Sequence, residues 1–409
     1  MKKTTALLLS LIFIILLIPS SLIKAQIKET KPDFEKVIPV TATLDTKLNL
    51  NSSSAVLIEG STGTILFEKN KDEKLKPASI TKIMTLLLIY EALDSEQIRL
   101  MDDVTVSEHA ASMGGSQVYL EPYEVQNVET MIKCISIASA NDASVAMAEH
   151  IAGSEEEFVA RMNKRAKELG MNNTNFINCC GLDADNHYST AYDVALMSRE
   201  LIIRFPEISN YTTIWMDTFV HTTRKGRTEF GLTNTNKLIK SYKGITGLKT
   251  GSTSIAKYCL SATARRNDMD LIAVILAAPD TKTRFAEAAK LLNYGFANYS
   301  IFVDDNKDLS LDPVAVVKGV TDYINGKIRG DFSYLCSKGE IPENIRKEVV
   351  LYDKVGAPLT TEDKIGDIIY YYDNKKIGSV DILASEAMDE AGYFDCLKKT
   401  LKKYFVVYN

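Results

Sequence analysis

The chain has 409 residues, 45% apolar and 25% charged, with a formal net charge of -5. This is the ordinary globular mixture, long enough for two or three domains with ample core. There is no basic excess to attract nucleic acid, and no second long apolar run follows the first 25 residues, which excludes a polytopic membrane protein.

Lys2 and Lys3 precede an apolar run over residues 6–19, and small and polar residues then lead to Ala25. This reads as a secretory signal peptide over 1–25. The other reading is a membrane-anchor helix, for which the apolar core is short against the ~20 residues of a full span. Export to the outer face of the cytoplasmic membrane or the cell wall is the expectation. Residues 26–48 are polar, carry Pro32 and Pro39, and read as a linker.

Strand-like residues 55–59 and 64–68 flank Gly60-Ser61-Thr62-Gly63 and predict a hairpin. Pro77 then opens an apolar helix through Tyr90, with Ser79 in its first turn. A long helical region over 128–152 is broken near Ser139, and 158–169 has the period of an amphipathic helix. Residues 245–253 precede two strand-like runs, 258–265 and 269–278, separated by Arg266-Asn267-Asp268, and a helix follows over 283–299. The simplest architecture for 49–300 is α+β, a sheet with helices on both flanks.

From residue 301 the pattern changes to strands at 348–352, 367–372 and 377–383, with a turn at Asp373-Asn374. A small β-rich domain over 301–388 is expected. In the last segment, 389–409, Phe394, Leu397, Leu401, Tyr404, Phe405 and Tyr408 fall near one helical face, with Lys398, Lys399, Lys402 and Lys403 between them. The pattern suits a helix lying on a membrane surface, or alternatively one packed on the β-rich domain.

No cofactor or metal is expected. His109, His150, His187 and His221 make no pair at metal-ligand spacing. The six cysteines are irregularly spaced, and no bridges are assigned. Cys134 and Cys259 sit in apolar stretches, and adjacent Cys179 and Cys180 suit neither an ordinary bridge nor a zinc site.

Three short motifs carry chemistry: Ser79-Ile80-Thr81-Lys82, Ser139-Ala140-Asn141 and Lys249-Thr250-Gly251. Three residues apart on a helix, Ser79 and Lys82 share one face, and a buried lysine near another positive charge becomes neutral enough to take the serine proton. A second hydroxyl at Ser139 relays a proton, and the amide of Asn141 holds a peptide carbonyl. Lys249 and Thr250 on an edge strand bind a carboxylate, with Gly251 keeping the strand wall open. Singly, Ser79 reads equally as an N-terminal helix residue, Ser139-Ala140-Asn141 reads more readily as a helix cap, and Lys249-Thr250-Gly251 also fits a turn before an exposed lysine. In this order they make a set for acyl transfer through a serine ester, with no His or Asp.

The chain resembles the low-molecular-mass penicillin-binding proteins that are serine D-alanyl-D-alanine carboxypeptidases, over about residues 55–299. The resemblance extends to residues 77–85, 139–143, 187–193, 234–237 and 247–251. It implies that Ser79 is acylated, that Lys82 is its base, that Ser139 passes the proton on, and that Asn141 orients the substrate. It implies that Lys249 and Thr250 bind the terminal D-alanine carboxylate beside Gly251, and that the N–H groups of Ser79 and Ser252 form the oxyanion hole. The implied substrates are peptidoglycan stem peptides ending in D-Ala-D-Ala, with β-lactams as covalent inhibitors and the membrane surface met through the C-terminal helix. Two departures are Tyr123, where the family usually has Gly, and the cysteine pair between Asn178 and Gly181. The competing readings are a serine β-lactamase, which needs a carboxylate base such as Glu168, and a non-catalytic β-lactam- or wall-binding protein.

Overall fold

The computed structural model describes residues 48–405, with side chains to residue 402. The signal-peptide reading and nearly all of the linker lie outside the described residues, as do the side chains of Lys403, Tyr404 and Phe405 and all of Tyr408.

Strands β1 (Ser54–Glu59) and β2 (Ile65–Lys69) form the expected hairpin. Two ribbons follow, β3 (Asp103–Thr105) with β4 (Val125–Asn127) and β5 (Met216–Thr223) with β6 (Gly226–Thr233). Strands β7 (Ile245–Thr253), β8 (Lys257–Arg266) and β9 (Met269–Ala278) complete an antiparallel sheet of order β2-β1-β9-β8-β7, which leaves β7 at an edge. Asn267 and Asp268, both at positive φ (48° and 60°), make the tight turn between β8 and β9.

Both faces of the sheet are apolar because helices cover both. Val56, Ile58, Ile272, Val274 and Leu276 face a helical lobe built around α1 (Lys82–Asp94), α2 (Asn141–Ala152), α3 (Glu155–Glu168) and α4 (Ala191–Arg204). The alternate residues Ala55, Leu57, Leu271, Ala273 and Ile275 meet Phe285, Ala288, Leu291 and Leu292 of α5 (Thr281–Asn298). Side-chain caps start the later helices: Ser154 Oγ accepts from Glu157 N (3.2 Å), Thr190 Oγ1 from Asp193 N (3.0 Å) and Asp280 Oδ1 from Thr283 N (2.8 Å). Each such cap contributes about 1 kcal/mol.

The start of α1 differs from the sequence reading. Residues Ala78–Thr81 form a 3-10 turn and the α-helix begins only at Lys82, because Ala78 takes a positive φ of 50° that no α-helix accommodates. Tyr123 also sits at positive φ (67°), the conformation that explains a glycine there in the resembling family. Its backbone N–H donates to Val106 O (2.8 Å) and its hydroxyl to Glu108 Oε1 (2.7 Å).

The β-rich region starts at β10 (Tyr299–Asp304), which leaves α5 directly and pairs with β14 (Phe332–Ser337). Between them lie β11 (Val314–Val317), β12 (Tyr323–Ile324) and β13 (Gly326–Ile328), and β15 (Ile345–Leu351), β16 (Lys354–Gly356), β17 (Lys364–Tyr372) and β18 (Lys375–Ala384) follow. The region thus holds nine strands among the described residues where the sequence pattern gave three. Tyr370 anchors its core, stacked on Phe332 at 3.7 Å with its hydroxyl between Asp304 and Asn306. The last helix, α6 (Tyr393–Phe405), leaves Tyr393, Phe394, Leu397 and Leu401 exposed, while Lys399 donates to Gly319 O (2.7 Å) and Asp322 Oδ1 (2.6 Å). No helix among the described residues is long and apolar enough to cross a membrane.

Glu287 of α5 ties the segment before β1 to the back of the sheet: its carboxylate accepts from Asn51 N and from Ser52 N (3.1 Å). Replacing it by Ala leaves the N–H of buried Ser52 unpaired, at about 1–3 kcal/mol. Glu287→Ala should lower the urea midpoint accordingly while penicillin labelling per folded molecule is unchanged; an unaltered midpoint would show that the clamp contributes nothing.

Candidate active site

Three stretches distant in sequence carry the motif residues. The 3-10 turn carries Ser79, α1 begins with Lys82, the break between Cys134–Ala138 and α2 carries Ser139 and Asn141, and β7 carries Lys249, Thr250, Gly251 and Ser252.

Lys82 is fully buried. Its Nζ lies 3.1 Å from Ser79 Oγ, 2.6 Å from Asn141 Oδ1 and 2.8 Å from the Cys180 carbonyl oxygen. The two carbonyls only accept, whereas the hydroxyl can donate. A neutral amine, with two hydrogens and one lone pair, satisfies all three at once by donating to Asn141 and Cys180 and accepting from Ser79. Burial lowers the Lys82 pKa, opposing smaller upward contributions from Cys180, Cys179 and Asp142. Among the described residues no carboxylate hydrogen-bonds to Lys82 or Ser79, and no acceptor takes the Ser79 N–H.

Lys249 is buried with Nζ 3.1 Å from Thr250 O. Its pKa is pushed well down, first by burial and then by the positive charges of Lys82 and Arg284. That repulsion is mutual, so the pair favours a state in which one lysine is neutral. Arg284 stands behind the strand and donates to Gly251 O (3.1 Å) and Cys259 O (3.3 Å).

Ser139 takes a left-handed conformation (φ 62°) at the end of the π-turn, and its buried Oγ has no hydrogen-bond partner among the described residues. Asn141, besides accepting from Lys82, donates through Nδ2 to Gly114 O (2.7 Å). The next residue, Asp142, fastens the facing loop by accepting from Val118 N and Leu120 N (both 3.1 Å). Burial raises its carboxyl pKa, opposed by those N–H groups. Ser252 is exposed on β7 beside the site.

Several positioning groups escaped the sequence reading of the motifs. Thr235 Oγ1 lies 2.6 Å from Thr250 Oγ1, so the two hydroxyls share one hydrogen and keep one to offer. Ile177 N donates to His187 Nδ1 (3.2 Å), which places the imidazole hydrogen on Nε2, 2.9 Å from Thr81 Oγ1. Burial, then Lys76, lowers the His187 pKa to about 4, which keeps the ring neutral. Thr235 and His187 lie within the stretches that carried the family resemblance, but backbone groups such as the Cys180 carbonyl have no sequence signature.

Two glycines let these segments close. A Cβ on Gly251 would lie 2.8 Å from Ser79 N, and one on Gly181, at φ 84°, would lie 1.8 Å from Ala78 O. Gly181→Ala must displace the turn bearing Ser79. We expect acylation by a fluorescent penicillin to slow ~100-fold, the scale of a misplacement of about 1 Å at a reacting centre. Stopped-flow labelling of the folded variant measures this, and a near-normal rate would mean that the turn tolerates the displacement.

The sequence profile of the peptidase S11 D-alanyl-D-alanine carboxypeptidases matches residues 40–280, and that of the penicillin-binding protein 5 C-terminal domain matches 301–390. The chain is 45% identical to D-alanyl-D-alanine carboxypeptidase DacF of Bacillus subtilis over 86% of its own length and 89% of that protein's. It is 33% identical to DacC of Escherichia coli over 85% and 86% of the two lengths. Penicillin binding protein 5 from Haemophilus influenzae superposes with a TM-score of 0.70 at 31% identity, covering 84% of this chain and 99% of that one. With matched catalytic-domain and C-terminal profiles, and relatives that align over most of both chains, this protein belongs to the peptidase S11 family of D-alanyl-D-alanine carboxypeptidases.

Proposed function

We propose that the protein removes the terminal D-alanine of peptidoglycan stem peptides through an acyl ester on Ser79, and that β-lactams acylate the same oxygen. The carrying observation is the buried Lys82 amine, 3.1 Å from Ser79 Oγ and held there by Asn141 and Cys180, with burial favouring its neutral form. Lys82 takes the Ser79 proton as Oγ attacks the carbonyl of the D-Ala-D-Ala bond. The unclaimed N–H of Ser79, together with that of Ser252, receives the oxyanion. The free hydroxyl of Ser139 carries the proton to the leaving D-alanine amine, and Asn141 orients the peptide. The carboxylate of that D-alanine is received by Thr250, paired with Thr235, and its charge draws a proton onto Lys249. Water then hydrolyses the ester.

The β-lactamase alternative finds less support. Glu168, the carboxylate such an enzyme would need, closes α3 in an ion pair with Arg165 at 3.4 Å. The non-catalytic alternative requires a missing group, and each motif group is present.

Ser79→Ala should abolish labelling by a fluorescent penicillin, and Lys82→Arg should slow acylation ~1000-fold, within the range of a lost general base. The Lys82 pKa is lowered from 10.5, and its neutral form is the reactive one. Acylation of the parent should therefore rise with pH and level off below pH 10.5. Normal labelling of Lys82→Arg, or labelling of Ser79→Ala, would overturn the assignment.

An exported enzyme held on the outer face of the cytoplasmic membrane by α6 is supported by the exposed row Tyr393, Phe394, Leu397 and Leu401 and the neighbouring lysines. Lys399 is committed to Asp322, which leaves Lys398 and Lys402 for lipid headgroups. Truncation after Glu390 should release the protein from anionic liposomes in a flotation assay and leave penicillin labelling intact. Continued flotation would move the anchor elsewhere.

A further inference from the structure

Folding gives the adjacent cysteines neighbours that the sequence did not reveal. Cys179 and Cys180 are buried, their sulfurs 3.7 Å apart, and neither forms a bridge. Glu155, at the start of α3, brings its carboxylate to them: one oxygen accepts from Cys179 N (3.0 Å), and the ligand atoms of all three residues lie within 4.8 Å of one another. His109 closes the group on the solvent side, its Nε2 3.1 Å from the other oxygen of Glu155 and its side chain 55% exposed.

Two thiolates held at about 2.3 Å on one tetrahedral zinc ion lie about 3.8 Å apart, close to the separation found here. The donor set of two sulfurs and a carboxylate, with an imidazole at the rim, suits a thiophilic divalent cation and no hard one. We propose that Cys179, Cys180 and Glu155 form a binding site for a thiophilic divalent cation of the Zn2+ or Cd2+ type, whose occupation governs the positioning of Lys82. On binding, two S–H bonds break, both protons leave to solvent, and two sulfur–metal bonds form, with no change of oxidation state.

The link to the site already described is short. The carbonyls of the same two residues hold α1: Cys179 O accepts from Thr85 Oγ1 (2.6 Å) and Cys180 O from Lys82 Nζ (2.8 Å). The sulfurs already stand at the metal-bound separation, so closing the site draws in the Glu155 carboxylate, which holds the Cys179 N–H, and the Cys179–Cys180 backbone shifts with it, carbonyls included. The Cys180 sulfur also touches the Asn141 carbonyl at 3.5 Å, which carries the displacement to the other partner of Lys82. A loaded site slows acylation.

The consequence for acylation rests on the proposed role of Lys82, and the binding does not. Cd2+ is titrated into the full chain under a phosphine reductant and followed by the ultraviolet thiolate-to-metal band. The same samples are then labelled with fluorescent penicillin. We expect one equivalent to bind in the micromolar range or tighter. Cys179→Ser and Cys180→Ser should each weaken binding at least a hundredfold, and Glu155→Gln about tenfold, whereas Cys134→Ser, Cys259→Ser and Cys396→Ser should retain the band. Labelling of the loaded parent should fall at least tenfold and recover with chelator, while the Cys179→Ser and Cys180→Ser proteins, each compared with itself, should not respond. A missing band, or one that survives loss of both cysteines, overturns the site. A band with unchanged labelling overturns the coupling. A metal-free parent that fails to label at all counts against the Ser79 reading and leaves the binding result standing.

Discussion

A single amine with no access to water organises the catalytic half of this protein. Lys82 lies at the start of α1, and its three partners come from the turn before it, from the first residue of α2 and from the loop ahead of Gly181. Burying a charged ammonium there would cost several kcal/mol, and burying a neutral amine with both hydrogens donated costs far less. The demand for a stable fold and the demand for a competent base therefore select the same protonation state. Lys249, buried nearby, is itself pushed toward its neutral form by burial and by the charges of Lys82 and Arg284.

Around this amine the sheet supplies rigidity and the lobe supplies groups. The central strands β1, β9 and β8 are buried on both faces, while β7 has a neighbour on one side only. An extended peptide can lie along that free edge, with Arg284 bracing the strand from behind through the carbonyls of Gly251 and Cys259. Side chains placed on a strand and at helix starts are held more tightly than loop residues would be.

Much of this was legible in the sequence, and the parts that were not share physical reasons. The three motifs, the β8–β9 hairpin and the double-faced sheet follow from residue chemistry and period, and positive φ at Asn267 and Asp268 is what that turn sequence calls for. The β5–β6 ribbon was missed because the covered face of β5 carries the polar Asp217, His221 and Thr223 beside Phe219, while apolar Met216 and Val220 lie exposed, so its burial alternates but its hydrophobicity does not. Six short strands of the β-rich region were missed because runs of two to six residues leave little pattern to read. The turn at Ser79 looked helical because the strain at Ala78 is imposed by segments that pack on it. The Cys180 carbonyl is a backbone group, and the encounter of Glu155 with the cysteine pair depends wholly on tertiary structure.

The strained turn also bears on the order of assembly. Ala78 at a φ of 50° is not a conformation that an isolated chain prefers, and it persists only where its surroundings over-determine it. Those surroundings are Gly181, packed on the Ala78 carbonyl, and Gly251, packed on the Ser79 N–H. Both arrive from segments far downstream. The turn that bears Ser79 is therefore among the last features to mature as the chain folds. Until Gly181 and Gly251 are in place, nothing holds Ser79 against Lys82, so their juxtaposition belongs to the closed domain and not to the local sequence.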